Sequence, residues 1–443
     1  MLTGNSLMGA MIFLTLTGLS IPALAGAGEG SFFKESQSTT WQPSFSTGLE
    51  AYTHTYSLST TDTTESLAEF MASAALTGRS SRRAVHRWRL HAEGSAGTEL
   101  FRQTLEAQYR YQVDGRTTRL RLDGVLRGRQ YRQSSEYSLT SDNSEGRLDL
   151  RAYPLVGVKR LLELRGWADF MNFQKPSTLE VDYHDEGVGL FLKSSGLEGP
   201  VWSLGSRQAN RSYPDSTRID RRTLSLEGHF DIQDYSGQLL RFYHKSERRH
   251  IRDETARPSG WSHWTDFAGQ VQAGPGLVFL DLLGEVWRYD SEFSAYNNSW
   301  RAKAVAGYTW GDALSAAWKL GLATEKLEVN DNPESYTEVG LRAGVEAYGG
   351  PVSGSVALEM GSRRYRDGTV YPEDFAQGNA LAGEEPYALY TDFTYWEIWL
   401  TATWQLNSKV SLDILASFEP ENHTEQADDA TLGFANIRLV YRP

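Results

Sequence analysis

The chain has 443 residues, of which 12% are aromatic, and it carries a net charge of −12 with no cysteine. Its 13 Trp, 22 Tyr and 18 Phe exclude an intrinsically disordered chain, which has too few apolar side chains to form a core. The lack of cysteine excludes disulfides and thiolate metal sites. The acidic balance argues against binding to nucleic acid, and no helical membrane protein is predicted, since the only long apolar run lies at the N-terminus.

Residues 1–25 predict a secretory signal peptide. They contain no charged side chain, their apolar core opens at Met11, and Pro22 ends it shortly before a candidate cleavage site near Ala25. No Lys or Arg precedes the core, which departs from the usual pattern, so an uncleaved anchor is the alternative. Residues 26–44 are small and polar and predict a loose leader ahead of the folded body.

Residues 45–58 and 67–79 predict a first β-hairpin. The second segment is the weakest strand of the chain, because its Ala, Leu and Met are equally typical of a helix. A helix there would leave residues 45–58 outside the sheet and reduce the number of strands by two.

From residue 84 to residue 441 apolar and polar residues alternate with the period of two that indicates β-strands. In one strand Leu120, Leu122 and Leu126 share one face, and Arg121 and Arg127 share the other. In nine such segments none of 45 positions on the apolar phase is charged, whereas 21 of 42 on the opposite phase are. The segments are 119–129, 147–153, 162–170, 223–232, 277–286, 337–347, 352–360, 396–406 and 410–418.

Short turns and longer polar loops alternate along the chain. The turns, such as 348–351 and 406–409, carry the Gly, Asn, Asp or Pro that tight turns require. The predicted loops are 131–143, 171–179, 210–220, 248–261, 290–299, 327–335, 366–390 and 419–431. The longest loop, 366–390, is predicted to act either as a constriction folded into the lumen or as an acidic cap outside it.

These features predict an all-β fold, a closed antiparallel transmembrane β-barrel of about 20 strands, with 18 as the alternative. A soluble sandwich also alternates, but it does not require one short-turn rim, one long-loop rim and an even strand number. An Arg or Lys side chain at mid-bilayer on the outer face destabilises the inserted barrel by about 2–4 kcal/mol, which explains why the apolar phase carries no charged residue.

Aromatic residues of the apolar phase fall near both ends of the strands, where two membrane interfaces would lie. The predicted girdle consists of Phe170, Trp396 and Phe418 toward the loop ends and Tyr308, Trp310, Trp404 and Tyr441 toward the turn ends.

Over residues 45–443 the chain resembles the porin-like outer-membrane β-barrels of Gram-negative bacteria, at the level of the class. The resemblance rests on the signal peptide, the alternation, the unequal rims and a C-terminal amphipathic strand, 431–441. It implies an outer-membrane location, periplasmic turns, extracellular loops, a periplasmic leader, and lipid and the barrel-insertion machinery as partners. Such barrels usually end on an aromatic residue, whereas here Tyr441 is followed by Arg442 and Pro443.

The sequence predicts no catalytic residue, no metal and no cofactor. The nine His are scattered without metal-ligand spacing, and no G-x-S-x-G motif is present. His229 lies between Glu227 and Asp231, a position that fits a polar group on the water-facing wall of a barrel better than a catalytic base.

Charged residues of the polar phase are predicted to line a pore. They are Arg119, Arg121, Arg127, Arg129, Arg147, Arg151, Arg165, Glu227, Asp231, Asp281, Glu285, Glu338, Glu346, Glu359, Glu397 and Asp413. Arg dominates the early wall and carboxylates dominate the later wall, which predicts a transverse field across the lumen. The alternative is pairing between neighbouring strands, for which Asp123 and Asp149 are the clearest candidates.

The predicted function is a channel that passes hydrophilic solutes or exports a polar polymer. A barrel-borne hydrolase and a structural or adhesion barrel with a blocked lumen are the alternatives. The identity of the solute, the gating and the oligomeric state do not follow from the sequence.

Overall fold

The computed structural model describes most of the chain from residue 40 onward. The described ranges are 40–58, 61–81, 84–97, 100–114, 119–133, 142–156, 160–174, 181–194, 200–233, 238–291, 297–312, 315–330, 334–366, 391–424 and 429–442. The predicted signal peptide, residues 26–39 of the predicted leader, and residues 367–390 of the longest loop lie outside these ranges.

The described residues form twenty β-strands and a single short 3₁₀ turn, Thr217–Ile219. The strands are β1 (Thr40–Leu58), β2 (Thr61–Ser81), β3 (Ala84–Gly97), β4 (Leu100–Asp114), β5 (Arg119–Gln133), β6 (Asn143–Val156), β7 (Arg160–Phe173), β8 (Tyr183–Ser194), β9 (Val201–Ser212), β10 (Arg221–Gln233), β11 (Leu239–Ile251), β12 (Gly260–Ala273), β13 (Gly276–Tyr289), β14 (Ser299–Asp312), β15 (Ala316–Val329), β16 (Tyr336–Ala347), β17 (Val352–Tyr365), β18 (Phe393–Gln405), β19 (Val410–His423) and β20 (Ala430–Tyr441). Within the described ranges, no helix is long and apolar enough to cross a membrane.

The strands close into one ring. Each strand pairs antiparallel with the next along the chain, and β20 pairs with β1 from Phe45 opposite Tyr441 to Tyr56 opposite Ala430. The predicted fold class, a closed antiparallel barrel of about 20 strands, is therefore confirmed. Closure satisfies the backbone groups of every strand, since no sheet edge remains.

The alternative of 18 strands is wrong, because residues 67–79 belong to a strand. They lie in β2, which pairs with β1 on one side and with β3 on the other. Phe70 and Leu76 project from the apolar face while Glu69 is buried on the polar face. Pairing on both sides and this alternation override the helical propensity of Ala, Leu and Met.

The first strand extends into the residues predicted as leader, whose boundary with the barrel was placed at residue 44. β1 begins at Thr40. Trp41 and Phe45 are about half exposed on the apolar face, and Gln42 and Ser44 occupy the other phase. The polar composition of residues 40–44 concealed the start of this strand, because Trp41 is the one large apolar side chain among them.

The connections define two unequal rims. On the turn rim, short connections such as 274–275 and 348–351 join the strands, and both chain ends of the barrel lie on this side. On the loop rim most connections are longer, for example 174–182 and 252–259. The connection between β1 and β2, however, has only two residues, 59–60. The prediction of longer loops on one rim therefore holds from β5 onward.

Three glycines make tight turns on the turn rim possible. Gly274, Gly311 and Gly350 have φ angles of 61°, 92° and 97°, in the left-handed region that other residues rarely adopt. Gly350 lies in the predicted turn 348–351, Gly274 lies between β12 and β13, and Gly311 lies next to the end of β14.

Large apolar side chains cover one face of the barrel. Val188, Leu204 and Leu322 are each 64% exposed, while Glu325 on the opposite phase of β15 is 3% exposed. This apolar face is the outer one, because side chains diverge on a convex wall and crowd together on a concave one. An apolar exterior around a polar interior is the arrangement of transmembrane barrels.

Candidate functional site on the inner wall

All sixteen residues predicted to line a pore lie on the inner phase of their strands. They are Arg119, Arg121, Arg127 and Arg129 on β5, Arg147 and Arg151 on β6, Arg165 on β7, Glu227 and Asp231 on β10, Asp281 and Glu285 on β13, Glu338 and Glu346 on β16, Glu359 on β17, Glu397 on β18, and Asp413 on β19. Their participation in conduction stays a prediction.

Two carboxylates of the early wall are each held by one arginine of the same strand and one of an adjacent strand. Asp149 is 4% exposed and accepts hydrogen bonds of 2.7 Å from Nε of Arg151 and from Nε of Arg165. Asp123 accepts hydrogen bonds of 2.5 Å from Nε of Arg110 and from Nε of Arg121. Neighbour pairing, the alternative reading of these charges, is thus what the structure shows at both carboxylates.

A second set of ion pairs spans β16, β17 and β18. Arg363 donates to Oε2 of Glu338 at 2.7 and 2.9 Å, and the Tyr395 hydroxyl donates to Oε1 of the same carboxylate at 2.7 Å. Arg342 pairs with Glu359 at 2.6 Å. These contacts satisfy buried charges within the wall, so the four ionic groups act mainly as structural ties.

The later inner wall carries more bases than the nine alternating segments contain. Inner-phase bases outside those segments include Arg207, Arg211, Arg241, Lys245, Arg249, Arg301, Lys303, Lys319 and Arg363. Many of them neutralise a carboxylate, as Arg301 does for Glu325 at 2.7 Å. They were missed because strands such as β11 carry polar residues on the outer face as well, namely His244 and Ser246, so their alternation is less clear.

A cleft of about 700 Å³ lies on the inner wall of β1 to β6, toward the turn rim. We call it the basic cleft and define it by the arginines that line it. They are Arg79, Arg87, Arg89, Arg110, Arg121, Arg147 and Arg151. Asp123 and Asp149 are the two carboxylates of the lining, so seven positive charges face two negative ones.

Four arginines of the basic cleft form no close ion pair with a described carboxylate, although Arg147 lies opposite Asp169 in the sheet. Arg79, Arg87, Arg89 and Arg147 are all exposed to the lumen and form no ion pair there. Arg110, Arg121 and Arg151, in contrast, are occupied by Asp123 or Asp149. The free guanidinium groups provide donors that fit carboxylate and phosphate oxygens.

An acidic patch lies on the opposite side of the ring. Asp266 on β12 and Asp281 and Glu285 on β13 are inner-phase carboxylates that form no ion pair within the described ranges. In a closed ring of twenty strands, strands ten apart lie on opposite sides, which sets β13 against β3. Unpaired positive and negative groups therefore face each other across the lumen.

The residues of the predicted aromatic girdle lie at the strand ends where they were expected. The rings of Trp396 and Phe418 are 5.4 Å apart toward the loop rim, where Phe170 also lies, on β7. Toward the turn rim Tyr308 stacks on Trp310 at 6.0 Å, and Trp404 and Tyr441 lie at the ends of β18 and β20. Their contact with a membrane interface stays a prediction.

The inner wall offers no geometry suited to hydrolysis in its described part. Thr391 is fully buried, and its hydroxyl contacts Nδ1 of His423, whose Nε2 lies 3.4 Å from Glu421. A buried hydroxyl cannot reach a substrate, so this contact is structural. His229 makes no hydrogen bond within the described ranges, and these ranges contain no group of three or more metal-binding side chains.

No protein-family model and no curated protein sequence matches the chain. Its fold, however, is similar to that of known barrels. A mutant of the ferric enterobactin receptor PfeA from Pseudomonas aeruginosa superposes with a TM-score of 0.52 at 8% identity, over 90% of this chain and 80% of that chain. The siderophore receptor PirA from Acinetobacter baumannii gives 0.51 at 7% identity, over 92% of this chain and 81% of that chain.

The outer membrane protein OpdK from Pseudomonas aeruginosa is similar over 90% of this chain and 98% of that chain, at 12% identity and a TM-score of 0.43. At such identities the similarities concern the fold alone. The two receptors support the closed β-barrel fold of this chain.

Proposed function

We propose that the protein is a porin-like channel of a Gram-negative outer membrane and that it passes hydrophilic solutes. The observation that carries this proposal is the closed ring of 20 strands with an apolar exterior and a charged interior. Barrels of about 16–18 strands already leave an aqueous channel. A ring of twenty strands is wider, so the side chains of the wall alone do not fill it.

The two rims suggest an orientation in the membrane. Both ends of the barrel lie on the turn rim, where Thr40 begins β1 and Tyr441 ends β20. A chain secreted behind a signal peptide starts from the periplasm, which places the turn rim there and the loop rim outside. The basic cleft would then lie near the periplasmic mouth.

The unpaired charges support a selective rather than a neutral passage. Arg87 and Arg89 of the basic cleft lie across the ring from Asp281 and Glu285 of the acidic patch. Fixed charges in a water-filled pore attract counter-charged solutes and orient dipolar ones. We therefore infer that small anions concentrate along the basic side of the lumen.

Conductance of the purified, folded protein in planar bilayers tests this proposal. We expect open channels whose reversal potential in a salt gradient shifts toward cation preference in the variant R87Q/R89Q/R147Q. The matched control is R222Q/R288Q/R364Q, which removes three positive charges from the outer wall and should leave the reversal potential unchanged. Absence of conductance in correctly folded protein contradicts the channel and favours a blocked, structural barrel.

Polymer export has the same geometric requirements as solute passage. Liposome swelling with neutral sugars of increasing size measures the effective width of the lumen. Continued swelling with large oligosaccharides supports export of a polar polymer, and a sharp size limit supports passage of small solutes.

A further inference from the structure

Most positive charges of the described outer wall lie close to the loop rim, and Arg160, at the turn-rim end of β7, is the exception. Five outward-facing cations lie within four residues of a strand end on this rim. They are Arg222 on β10, Arg248 on β11, Arg288 on β13, Lys326 on β15 and Arg364 on β17. All five belong to strands between β10 and β17.

Four of these cations form two rows, and in each row two cations flank one residue of the strand between them. Arg248 lies opposite Trp261, which lies opposite Arg288, so two arginines flank one residue across β11, β12 and β13. We call this the first row. In the second row Lys326 lies opposite Thr337, which lies opposite Arg364, across β15, β16 and β17.

The spacing within each row suits a single anion. Neighbouring strands are about 4.8 Å apart, so the backbones of the two cations are about 10 Å apart. Arg and Lys side chains are long and flexible enough to turn toward each other over the strand between them. An anion above Trp261 or Thr337 would then contact a cation from each side.

Each row has one cation that is already neutralised and one that is not. Arg248 donates hydrogen bonds of 2.7 and 2.5 Å to the two oxygens of Asp290 and lies 5.3 Å from the ring of Trp261. Lys326 pairs with Glu328 at 3.2 Å and lies 5.3 Å from the ring of Trp300.

Arg288 and Arg364, in contrast, are exposed and form no ion pair or hydrogen bond with the described residues. The paired cation and its aromatic neighbour hold one side of each row in place, and the free arginine leaves that row positively charged. Each row therefore keeps a positive charge that internal ion pairs do not cancel.

The position of the rows indicates what kind of anion they meet. They face outward, just beyond the apolar band of the wall, where hydrocarbon gives way to lipid headgroups. Guanidinium groups match phosphate oxygens in geometry and charge. We propose that the two rows, on β11–β13 and on β15–β17, bind phosphate groups of a phosphorylated lipid in the leaflet at the loop rim.

This inference requires that the barrel cross a membrane, but it does not depend on conduction. A barrel without conductance could still bind the lipid, and a conducting barrel could fail to bind it. The two proposals are therefore tested separately, by conductance and by lipid binding, with the lumen variant R87Q/R89Q/R147Q common to both experiments.

The experiment measures lipid binding to the full-length protein in neutral detergent, by native mass spectrometry. The probes are lipid A with both phosphates, the same glycolipid without phosphates, and inorganic phosphate. We expect lipid A to bind at least about tenfold more tightly than its phosphate-free form, because charge-assisted hydrogen bonds are lost with the phosphates. Equal binding of the two lipids overturns the proposal, as does binding of inorganic phosphate with no preference for the lipid.

The variants locate the site. R288Q/K326Q/R364Q should lose at least about tenfold in affinity for lipid A, while the lumen variant R87Q/R89Q/R147Q should bind it as the unmodified protein does. Unchanged binding by the outer variant overturns the proposal. If the outer triple variant fails to fold, the single variant R364Q provides the test, and binding to it at full affinity overturns the second row.

Discussion

The hydroxyl of Tyr395 on β18 reaches across β17 and donates a hydrogen bond of 2.7 Å to Oε1 of Glu338 on β16. The strand between them carries Gly361 at the crossing point, in register with Tyr395. A Cβ on Gly361 would lie 2.7 Å from ring atoms of Tyr395. The glycine thus provides the space through which two strands that are not neighbours are tied together.

We predict that Gly361→Ala destabilises the barrel by about 1–3 kcal/mol, because the added methyl group forces the Tyr395 ring off its path to Glu338. Urea unfolding followed by heat-modifiable gel mobility measures the effect. Gly284→Ala is the control, since a Cβ at Gly284 meets no atom within 4 Å and should cost much less. Equal stability of the two variants would contradict the role assigned to Gly361.

A charge placed on the outer wall should cost stability according to depth. Leu341 lies in the middle of β16 and is 44% exposed on the outer face, while Thr337 lies on the same face near the loop rim. Leu341→Arg should destabilise the inserted barrel by about 2–4 kcal/mol and Thr337→Arg by about 0–1 kcal/mol. Refolding into phospholipid vesicles provides the measurement, and equal costs would speak against a hydrocarbon environment at Leu341.

Neutralising the acidic patch should shift ion selectivity in the direction opposite to neutralising the basic cleft. In the variant D281N/E285Q the reversal potential should move toward anion preference, because two unpaired carboxylates no longer attract cations into the lumen. The control is D231N, which alters a carboxylate that Arg241 already pairs at 3.2 Å. E338Q is unsuitable as a control, because it breaks the contact with Arg363. D231N should therefore change the potential less, and a larger shift in D231N than in D281N/E285Q would refute this assignment.

Two loops of the loop rim are held together by reciprocal ion pairs. Arg218 donates to Asp253 at 2.6 Å, and Arg252 donates to Asp220 at 3.3 Å. The backbone N–H and the hydroxyl of Thr255 also donate to Asp253, at 3.0 and 2.6 Å. Hydrogen bonds from Thr255, followed by that from Arg218, lower the pKa of Asp253 from 3.8 to about 2.

A lowered pKa means that the carboxylate form stabilises the loop contact at every pH above 3.8, and that this stabilisation is lost as the pH falls through about 2. The amide signal of Thr255 in an NMR titration should therefore stay constant from neutral pH to about pH 4 and move with a midpoint near 2. Asp253→Asn should abolish the titration. A midpoint at 3.8 in the unmodified protein would show that the contacts do not act on Asp253.

Most of the architecture was predictable because the environment of the outer wall produces a simple sequence pattern, the exclusion of charged residues from alternate positions. Hydrocarbon excludes charge from every second residue, so Leu120, Leu122 and their equivalents identify both strand and face. β1 was harder to delimit, because Trp41 and Phe45 stand among small and polar residues. Propensity alone misleads at β2, where pairing with two neighbours decides the structure.

The inner wall was only partly predictable. Alternation places Arg147 and Asp149 on the inner phase, but it does not determine which guanidinium reaches which carboxylate. Asp149 is held by Arg151 and Arg165, whereas Arg147 faces the lumen without an ion pair in the described part. Such choices depend on strand register and side-chain rotamers. Contacts that skip a strand, such as that of Tyr395 with Glu338, carry no local signal at all.

The pairing of β20 with β1 has a consequence for how the molecule is made. Since the first and last strands pair with each other, an incomplete polypeptide has two unpaired sheet edges until synthesis reaches Tyr441. Each unpaired peptide group along such a border would cost several kcal/mol in hydrocarbon. Insertion into the membrane must therefore wait for the whole polypeptide, or a chaperone must protect the unpaired edges until β20 pairs with β1. A nonsense codon anywhere upstream would yield a truncated chain with no stable inserted state in a bilayer.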